Sequence, residues 1–128
     1  MTREELESLI FDKYGVYADY PFCDDLETGV FRHSTGKWFA IAMNISEKKL
    51  GKSGEMQINV VNFKCATEII ESLVGIECVI YPAYHMNKMH WLTVNLSECR
   101  FDTVEWLLGI SYELTVSKAK SKKRKAEA

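Results

Sequence analysis

Residues 84–91, YHMNKMHW, contain the densest group of side chains in the chain that could do chemistry. Two imidazoles could bind a metal ion or transfer a proton. A protein metal site usually has three or four ligands, however, and the octapeptide holds no carboxylate and no cysteine. His33 is the only other histidine of the chain. We therefore expect no metal and no cofactor at His85 and His90.

A catalytic histidine must hold a nucleophile or an acid in a defined position. The hydroxyl groups nearest to His85 and His90 in the sequence form no recognisable dyad or triad, so we expect a protein that is not an enzyme. Catalysis by these two histidines is the least favoured alternative. A structural role is also open, in which Tyr84 and Trp91 pack the sheet against the helices and the histidines bond to nearby acceptors.

The octapeptide lies between two apolar segments that are typical of strands, CVIYPAY and WLTVNL. We place Asn87 and Lys88 at the centre of a tight hairpin turn, because Asn tolerates a positive φ. The predicted cross-strand pairs are then Met86 with Met89, His85 with His90, and Tyr84 with Trp91. Since side chains alternate between the two faces of a strand, the histidines would meet on one face, with Tyr84 and Trp91 on the opposite one.

The elements around this hairpin follow from apolar periodicity and turn residues. Leu6, Leu9 and Ile10 have helical spacing, and Thr2 with Glu5 forms a capping-box pattern. The predicted order is a helix at 2–13, a hairpin about the turn at 34–36, a strand at 56–63, a helix ending near Gly75, the two strands above, and a helix ending near Ser117. An α-β-β-β-α-β-β-α order favours a two-layer α+β domain, in which helices cover an antiparallel sheet.

Length and composition predict one globular domain over residues 1–117. The chain has 128 residues, of which 47% are hydrophobic, and a chain of this size can bury a core. Its apolar runs are far shorter than a membrane span requires, and the acidic start MTREELESLI is unlike a signal peptide. We expect a cytoplasmic protein with no membrane partner. The four cysteines form no CxxC pair, and we expect buried thiols.

The charge of the chain is divided between an acidic body and a basic end. Residues 118–128, KAKSKKRKAEA, hold six of the sixteen basic residues and one of the eighteen acidic residues. Residues 1–117 therefore carry ten basic and seventeen acidic groups, a net charge of −7. The composition of the end predicts a disordered, solubilising tail. Its charge makes a phosphate-binding arm the alternative.

The stretch YPAYHMNKMHW resembles the signature of the MmcQ/YjbR family, a Pro-small-Tyr-His-Met-Asn-Lys-x-His-Trp run. Other blocks agree in order: DYPF at 19–22, GKWFAIA at 36–42, KKLGKSGE at 48–55, NFKC at 62–65 and ISYELT at 110–115. The resemblance covers the chain from Thr2 to about Lys118. The residues that carry the signature here are Tyr84, His85, Met86, Asn87, Lys88, His90 and Trp91.

The resemblance implies an α-β(3)-α-β(2)-α fold, which is the order that periodicity gives independently. It also implies DNA binding through a double wing formed by two hairpins, and no enzymatic activity. Neutralising phosphate charge requires Lys and Arg side chains, and Asn87 could contact a base edge. The candidates are Lys48, Lys49 and Lys52 in one loop, Asn87 and Lys88 in the signature, and Lys118, Lys120, Lys122, Lys123, Arg124 and Lys125 in the tail.

The alternative function is a protein-interaction module that binds a partner chain or a second copy of itself. The acidic body suits this function better than it suits DNA binding. Lysines of both loops and the tail that converge on one face would favour nucleic acid, whereas an exposed apolar patch would favour a protein partner.

Overall fold

The computed structural model describes residues 1–75 and 79–127, and it describes side chains as far as Val116. The helices are α1 (Arg3–Tyr14), α2 (Thr67–Leu73) and α3 (Phe101–Glu127), and a 3-10 helix spans Glu47–Leu50. The strands are β1 (Gly29–Arg32), β2 (Trp38–Ser46), β3 (Gln57–Lys64), β4 (Ile80–Pro82) and β5 (Trp91–Asn95). The predicted α+β class and element order are confirmed.

The five strands form one sheet in the order β1-β2-β3-β5-β4, and each neighbouring pair is antiparallel. β3 is the central strand, and its two ends define the two ends of the sheet. Ser46 pairs with Gln57 where the β2–β3 hairpin closes, whereas Lys64 pairs with Trp91 at the other end. Because a strand rises about 3.4 Å per residue, these ends are about 24 Å apart.

The sheet buries apolar side chains on both faces. The helix face packs against α1, α2 and α3, and its core includes Phe31, Phe63 and Leu92. The opposite face carries a separate cluster that includes Ile41 and Val60. We call it the loop face, because connecting segments rather than the three helices cover it. The fold therefore has a third, irregular layer beyond the two that the sequence predicts.

A β-bulge at Phe39 decides which aromatic ring lies on which face. Phe31 pairs with Ala40 and Arg32 pairs with Trp38, so Phe39 is the extra residue of β2. A bulge interrupts the alternation of side chains. Phe39 consequently belongs to the helix-face core, and the neighbouring Trp38 packs on the loop face.

The start of α1 is as predicted. The Thr2 hydroxyl accepts a hydrogen bond from the Glu5 amide at 3.1 Å, and the Glu5 carboxylate accepts one from the Thr2 amide at 2.8 Å. These two bonds satisfy amide groups that a helix start leaves without partners. The helix then buries Leu6, Leu9 and Ile10, which confirms the apolar stripe.

The end of α3 lies at Glu127, ten residues beyond the predicted end near Ser117. Residues 118–127 contain Lys, Arg, Ala, Glu and Ser, with neither Gly nor Pro, so nothing in their composition stops a helix. Their side chains lie outside the described part of the structure. A domain limit at residue 117 and a disordered tail stay predictions.

The cysteines do not all behave as predicted. Cys65 and Cys99 are buried, and burial raises the pKa of the Cys65 thiol. Cys23 is exposed, because it lies in the turn-rich segment before β1 and has no strand or helix to carry it into the core. Cys78 lies outside the described residues.

Candidate functional site

Residues 83–90, which we call the signature loop, connect β4 to β5. The predicted two-residue turn is wrong, because β4 ends at Pro82 and β5 begins only at Trp91. The register is also one residue from the predicted one: Pro82 pairs with Leu92, so a continued ladder would place Ala83 opposite Trp91. Pro82 has no amide hydrogen to donate to a ladder, and the loop closes through its own side chains instead.

Asn87 and Lys88 both form bonds within the signature loop. The Asn87 side-chain oxygen accepts from the Met89 amide at 2.8 Å, and the Asn87 carbonyl accepts from the Trp91 amide at 3.0 Å. Lys88 donates from Nζ to the Ala83 carbonyl at 3.0 Å. Asn87 thus begins a turn through its side chain. The residue with a positive φ is His85, at 64°, and not Asn87 as predicted.

The two signature histidines do not form a joint site. Both are exposed, and in the described part of the chain their imidazoles make no hydrogen bond to each other. The His85 ring lies on the Tyr84 ring, with centroids 3.8 Å apart, and the His90 carbonyl accepts from the Cys65 amide at 2.9 Å. The described residues contain no group of three or more His, Cys, Asp or Glu that could hold a metal ion.

Tyr84 and Trp91 both pack on the loop face of the sheet, not against the helices as the structural alternative proposed. Trp91 pairs with Lys64 and follows the alternation of β5, which sends Leu92 to the helix face and Trp91 to the other. Tyr84 reaches the same face because the loop folds back over the sheet.

Asn62 and Thr93 hold the start of the signature loop on the sheet, and sequence reasoning missed both. They pair across β3 and β5 and are fully buried. Thr93 Oγ1 donates to Asn62 Oδ1 at 2.5 Å and accepts from the Tyr84 amide at 2.9 Å. Asn62 Nδ2 donates to the Tyr84 carbonyl at 2.8 Å. The sequence signal that could have identified them was one polar residue inside each of two apolar strands. A polar side chain buried there needs a hydrogen-bond partner.

A cavity of about 330 Å³ opens on the loop face between the signature loop and the segment at 22–28. We call it the loop-face cavity. Three aromatic residues line it, Phe22, Trp38 and Tyr84, and two carboxylates, Asp24 and Asp25, are also among its lining residues. Its size is at the lower end of the range for small-molecule sites.

The turn at Asp25 fixes one wall of this cavity. Asp25 accepts hydrogen bonds from the Glu27 amide at 3.2 Å, the Thr28 amide at 3.2 Å and the Thr28 hydroxyl. The bond from the Thr28 side chain is the main cause of a lowered Asp25 pKa, because these donors stabilise the ionised form. Asp25 is therefore an anion with a fixed direction at neutral pH.

The lysine loop, residues 46–56, presents less available positive charge than the sequence suggested. Lys48 forms an ion pair with Glu55, with Nζ and Oε1 2.7 Å apart, and Lys52 forms one with Glu98 at 3.4 Å. Tyr81 and then Glu98 raise the pKa of Lys52. Lys49 is exposed and makes no ion pair within the described residues.

The predicted phosphate-binding residues do not all come together. The lysine loop lies where β2 and β3 close their hairpin, and the signature loop lies where β3 meets the start of β5. The length of β3, about 24 Å, separates the two sets. Asn87 and Lys88 therefore lie at the opposite end of β3 from the backbone of the lysine loop. Of the three lysines in that loop, Lys52 extends toward Tyr81 of β4.

α3 reaches the signature-loop end of the sheet just before its basic residues begin. Ser111 accepts from the Lys64 amide at 2.8 Å and donates to the Phe39 carbonyl. One turn later, Thr115 Oγ1 lies 2.6 Å from His33 Nε2, beside the β1–β2 turn. That turn carries the exposed Lys37, which the sequence analysis did not single out. The six basic residues at 118–125, which we call the basic end, follow directly in the chain.

None of the described helices combines the length and the apolar composition that crossing a bilayer requires.

Comparisons with known proteins agree with this fold. A family model described as YjbR matches residues 11–114. The uncharacterised protein YyaQ of Bacillus subtilis is 36% identical over 97 residues, which are 75% of this chain and 81% of the relative. A crystal structure of a Pseudomonas syringae protein has a TM-score of 0.87 and 36% identity, covering 90% of this chain and 99% of that one. A crystal structure of a Deinococcus radiodurans protein has a TM-score of 0.71 and 28% identity, covering 92% and 80%.

Proposed function

The chain belongs to the MmcQ/YjbR family, and we propose that it binds nucleic acid weakly and without sequence specificity through its basic end. The observation that carries this proposal is the position at which α3 meets the sheet. Thr115 contacts His33 beside the β1–β2 turn, at the end of the sheet that also carries the signature loop. Lys37, Lys88 and the basic end thus belong to one end of the molecule.

The density of charge in the basic end suits a polyanion. Six basic residues lie between Lys118 and Lys125, which is about 10 Å of helix axis at 1.5 Å per residue. Duplex DNA carries one phosphate charge per about 1.7 Å of its axis. A segment with similar charge spacing can neutralise several phosphates, and the counterions released make binding dependent on salt.

The acidic body sets the limit on this affinity. Residues 1–117 carry a net charge of −7, which repels a polyanion at distances within the Debye length, about 8 Å at physiological salt. Lys48 and Lys52 are already paired with Glu55 and Glu98. We therefore propose contact at one end of the protein, with Lys37 and Lys88 beside the basic end, rather than through two wings that act together.

The test is fluorescence anisotropy with a labelled duplex across a salt series. In the full chain, changing all six residues of the basic end to Gln should reduce the slope of log K against log salt by up to about 5, since each phosphate contact contributes about 0.9. A matched control changes Lys48, Lys49 and Lys52 to Gln and should leave the slope nearly unchanged.

Absence of binding by the unmodified chain at low salt would reject the proposal. A larger loss from the Lys48, Lys49 and Lys52 control than from the basic-end variant would move the contact to the other end of the sheet. Equal binding by duplexes of unrelated sequence is expected, because phosphate contacts carry no sequence information.

Self-association is the second candidate function, and the outer side of α3 favours it. Trp106 is 49% exposed and Leu114 is 40% exposed. They lie along a groove with three acidic residues, Asp102, Glu105 and Glu113, and one basic residue, Lys13, which pairs with Glu105 at 3.3 Å. In an antiparallel pair of α3 helices, this acidic half of one copy would lie against the basic end of the other. Sedimentation velocity should then detect dimers at low salt. Trp106→Gln should weaken these dimers. Tyr17→Gln is the control and should not, because Tyr17 is 76% exposed but lies outside α3.

We also propose that the protein is not an enzyme. Neither His85 nor His90 has a side-chain hydrogen bond to a carboxylate or a nucleophile among the described residues, so neither is held as a general base requires. We also expect His85 and His90 to hold no metal, and a stoichiometric zinc or nickel ion in the purified, untagged protein would overturn that expectation.

A further inference from the structure

The loop-face cavity has an aromatic lining that nucleic-acid binding does not use. The rings of Phe22 and Trp38 meet edge to face, with centroids 6.2 Å apart, and Tyr84 contributes a third ring. Trp38 is present only because the bulge at Phe39 turns it to this face. Aromatic faces attract cations through their quadrupole, Trp most strongly, so several rings about one cavity favour a cationic ligand.

The charged groups of the cavity favour the same ligand. Asp24 and Asp25 are among its lining residues, and no Lys or Arg is. Asp25 is fixed by its bonds to Thr28 and Glu27. Asp24 is exposed and makes no hydrogen bond or ion pair in the described part of the chain, so its carboxylate is available to a ligand. An anion would meet two carboxylates here without a compensating base.

The walls are held in place without a ligand. Tyr84 is bonded through its amide and its carbonyl to Thr93 and Asn62, and the Asp25 turn fixes the opposite segment. A site whose walls are already ordered loses little conformational entropy when a ligand binds.

His85 contributes a second sign of a shaped site. It is the only non-glycine residue with a positive φ among the described residues, and it lines the cavity. Side chains rarely adopt this conformation, and such outliers cluster at binding sites. The conformation places the His85 ring on the Tyr84 ring at 3.8 Å, which makes His85 a positioning residue for the third aromatic wall.

From these observations we propose that the loop-face cavity binds an alkylated ammonium ion, with the cationic head among Phe22, Trp38 and Tyr84 and close to Asp24. The chemistry is that of an aromatic cage closed by carboxylates. Its source is either a free quaternary amine or a methylated lysine side chain. The proposal does not depend on the basic end, none of whose residues lines this cavity.

The experiment is an amide NMR titration of the full chain with choline, extended to the high millimolar range. Its control ligand is the neutral tert-butyl analogue of choline, in which carbon replaces the charged nitrogen. Choline should shift the signals of Trp38 and His85 in a saturable way and bind at least about 10-fold more tightly than the analogue. A trimethyl-lysine derivative distinguishes the sources: tighter binding than choline indicates a side chain, and weaker binding indicates a free amine.

Asp24→Asn should weaken choline binding by about 10-fold, the factor that 1.4 kcal/mol gives. The matched control is Glu27→Gln, an exposed carboxylate two positions from Asp25 that does not line the cavity, and it should leave binding unchanged. The absence of saturable shifts, equal binding of choline and its neutral analogue, or equal losses in the two variants would each overturn the proposal.

Discussion

At the scale of single residues, Thr93 is the clearest case of one group that positions many others. Its hydroxyl is fully buried and joins Asn62 of β3 to the Tyr84 amide of the signature loop. A buried polar group that loses its partner keeps the cost of desolvation without the compensating bond. The attachment of the signature loop to the sheet therefore depends on this hydroxyl more than on any exposed side chain of the loop.

Thr93→Val keeps the shape of the side chain and removes the hydroxyl. We expect the free energy of unfolding to fall by about 2 kcal/mol, because the Tyr84 amide and the Asn62 carbonyl oxygen lose their partner. Chemical denaturation measures this change in the free energy of unfolding. Thr67→Val is the matched control, since the Thr67 hydroxyl donates to the Met89 carbonyl in a half-exposed position; its loss should be under about 1 kcal/mol. Equal losses would contradict the role of Thr93.

His85 allows a test of backbone strain. At a φ of 64°, glycine has no steric penalty, whereas a β-branched residue has the largest one. We expect His85→Gly to exceed His85→Val in free energy of unfolding by at least about 1 kcal/mol. Both variants lose the ring contact between His85 and Tyr84, so this loss cancels in the difference between their free energies of unfolding. Equal stabilities would mean that the loop adopts another conformation at this position.

At the scale of elements, α1 begins with a capping box that has a pH signature. The hydrogen bonds from Thr2 lower the pKa of Glu5 below its ordinary value of 4.5, since they favour the ionised carboxylate. The ionised side chain thus stabilises the fold above pH 4.5, and this contribution is lost as the pH falls through the lowered, folded-state pKa.

The corresponding prediction concerns the titration of Glu5 itself. Carboxyl NMR should give a Glu5 pKa below 4.5 in the unmodified chain, and Thr2→Ala should raise it because the backbone bond loses its fixed geometry and the hydroxyl is gone. A Glu5 titration that Thr2→Ala leaves unchanged would contradict the capping box.

The elements could be predicted from the sequence because each depends on neighbours in the chain. Leu6, Leu9 and Ile10 are spaced for one side of a helix, and Thr2 and Glu5 are three residues apart. The conformation of the signature loop could not be predicted in this way, because it depends on the contact between Asn62 and Thr93. These two residues are 31 positions apart, and their contact exists only in the folded sheet. The position of Trp38 likewise depends on a bulge, and one extra residue in a strand reverses every side chain beyond it.

At the scale of the whole molecule, charge and topology give the two ends of the sheet different roles. The lysine loop lies at one end with two of its lysines in ion pairs. The other end of the sheet carries Lys37, Lys88 and the start of the basic end. The sequence identified each of these lysines except Lys37 as a candidate. It could not assign them to one end of the sheet or the other, because that assignment depends on the register of β3 against β2 and β5.

The most direct test of the proposed contact is amide NMR of the full chain with increasing amounts of a short duplex at low salt. The account predicts progressive shifts at Lys37, at Lys88 and in the basic end, while the amides of Lys48, Lys49 and Lys52 stay in place and serve as the internal reference. Shifts confined to the lysine loop, or no shifts at any ratio, would contradict it.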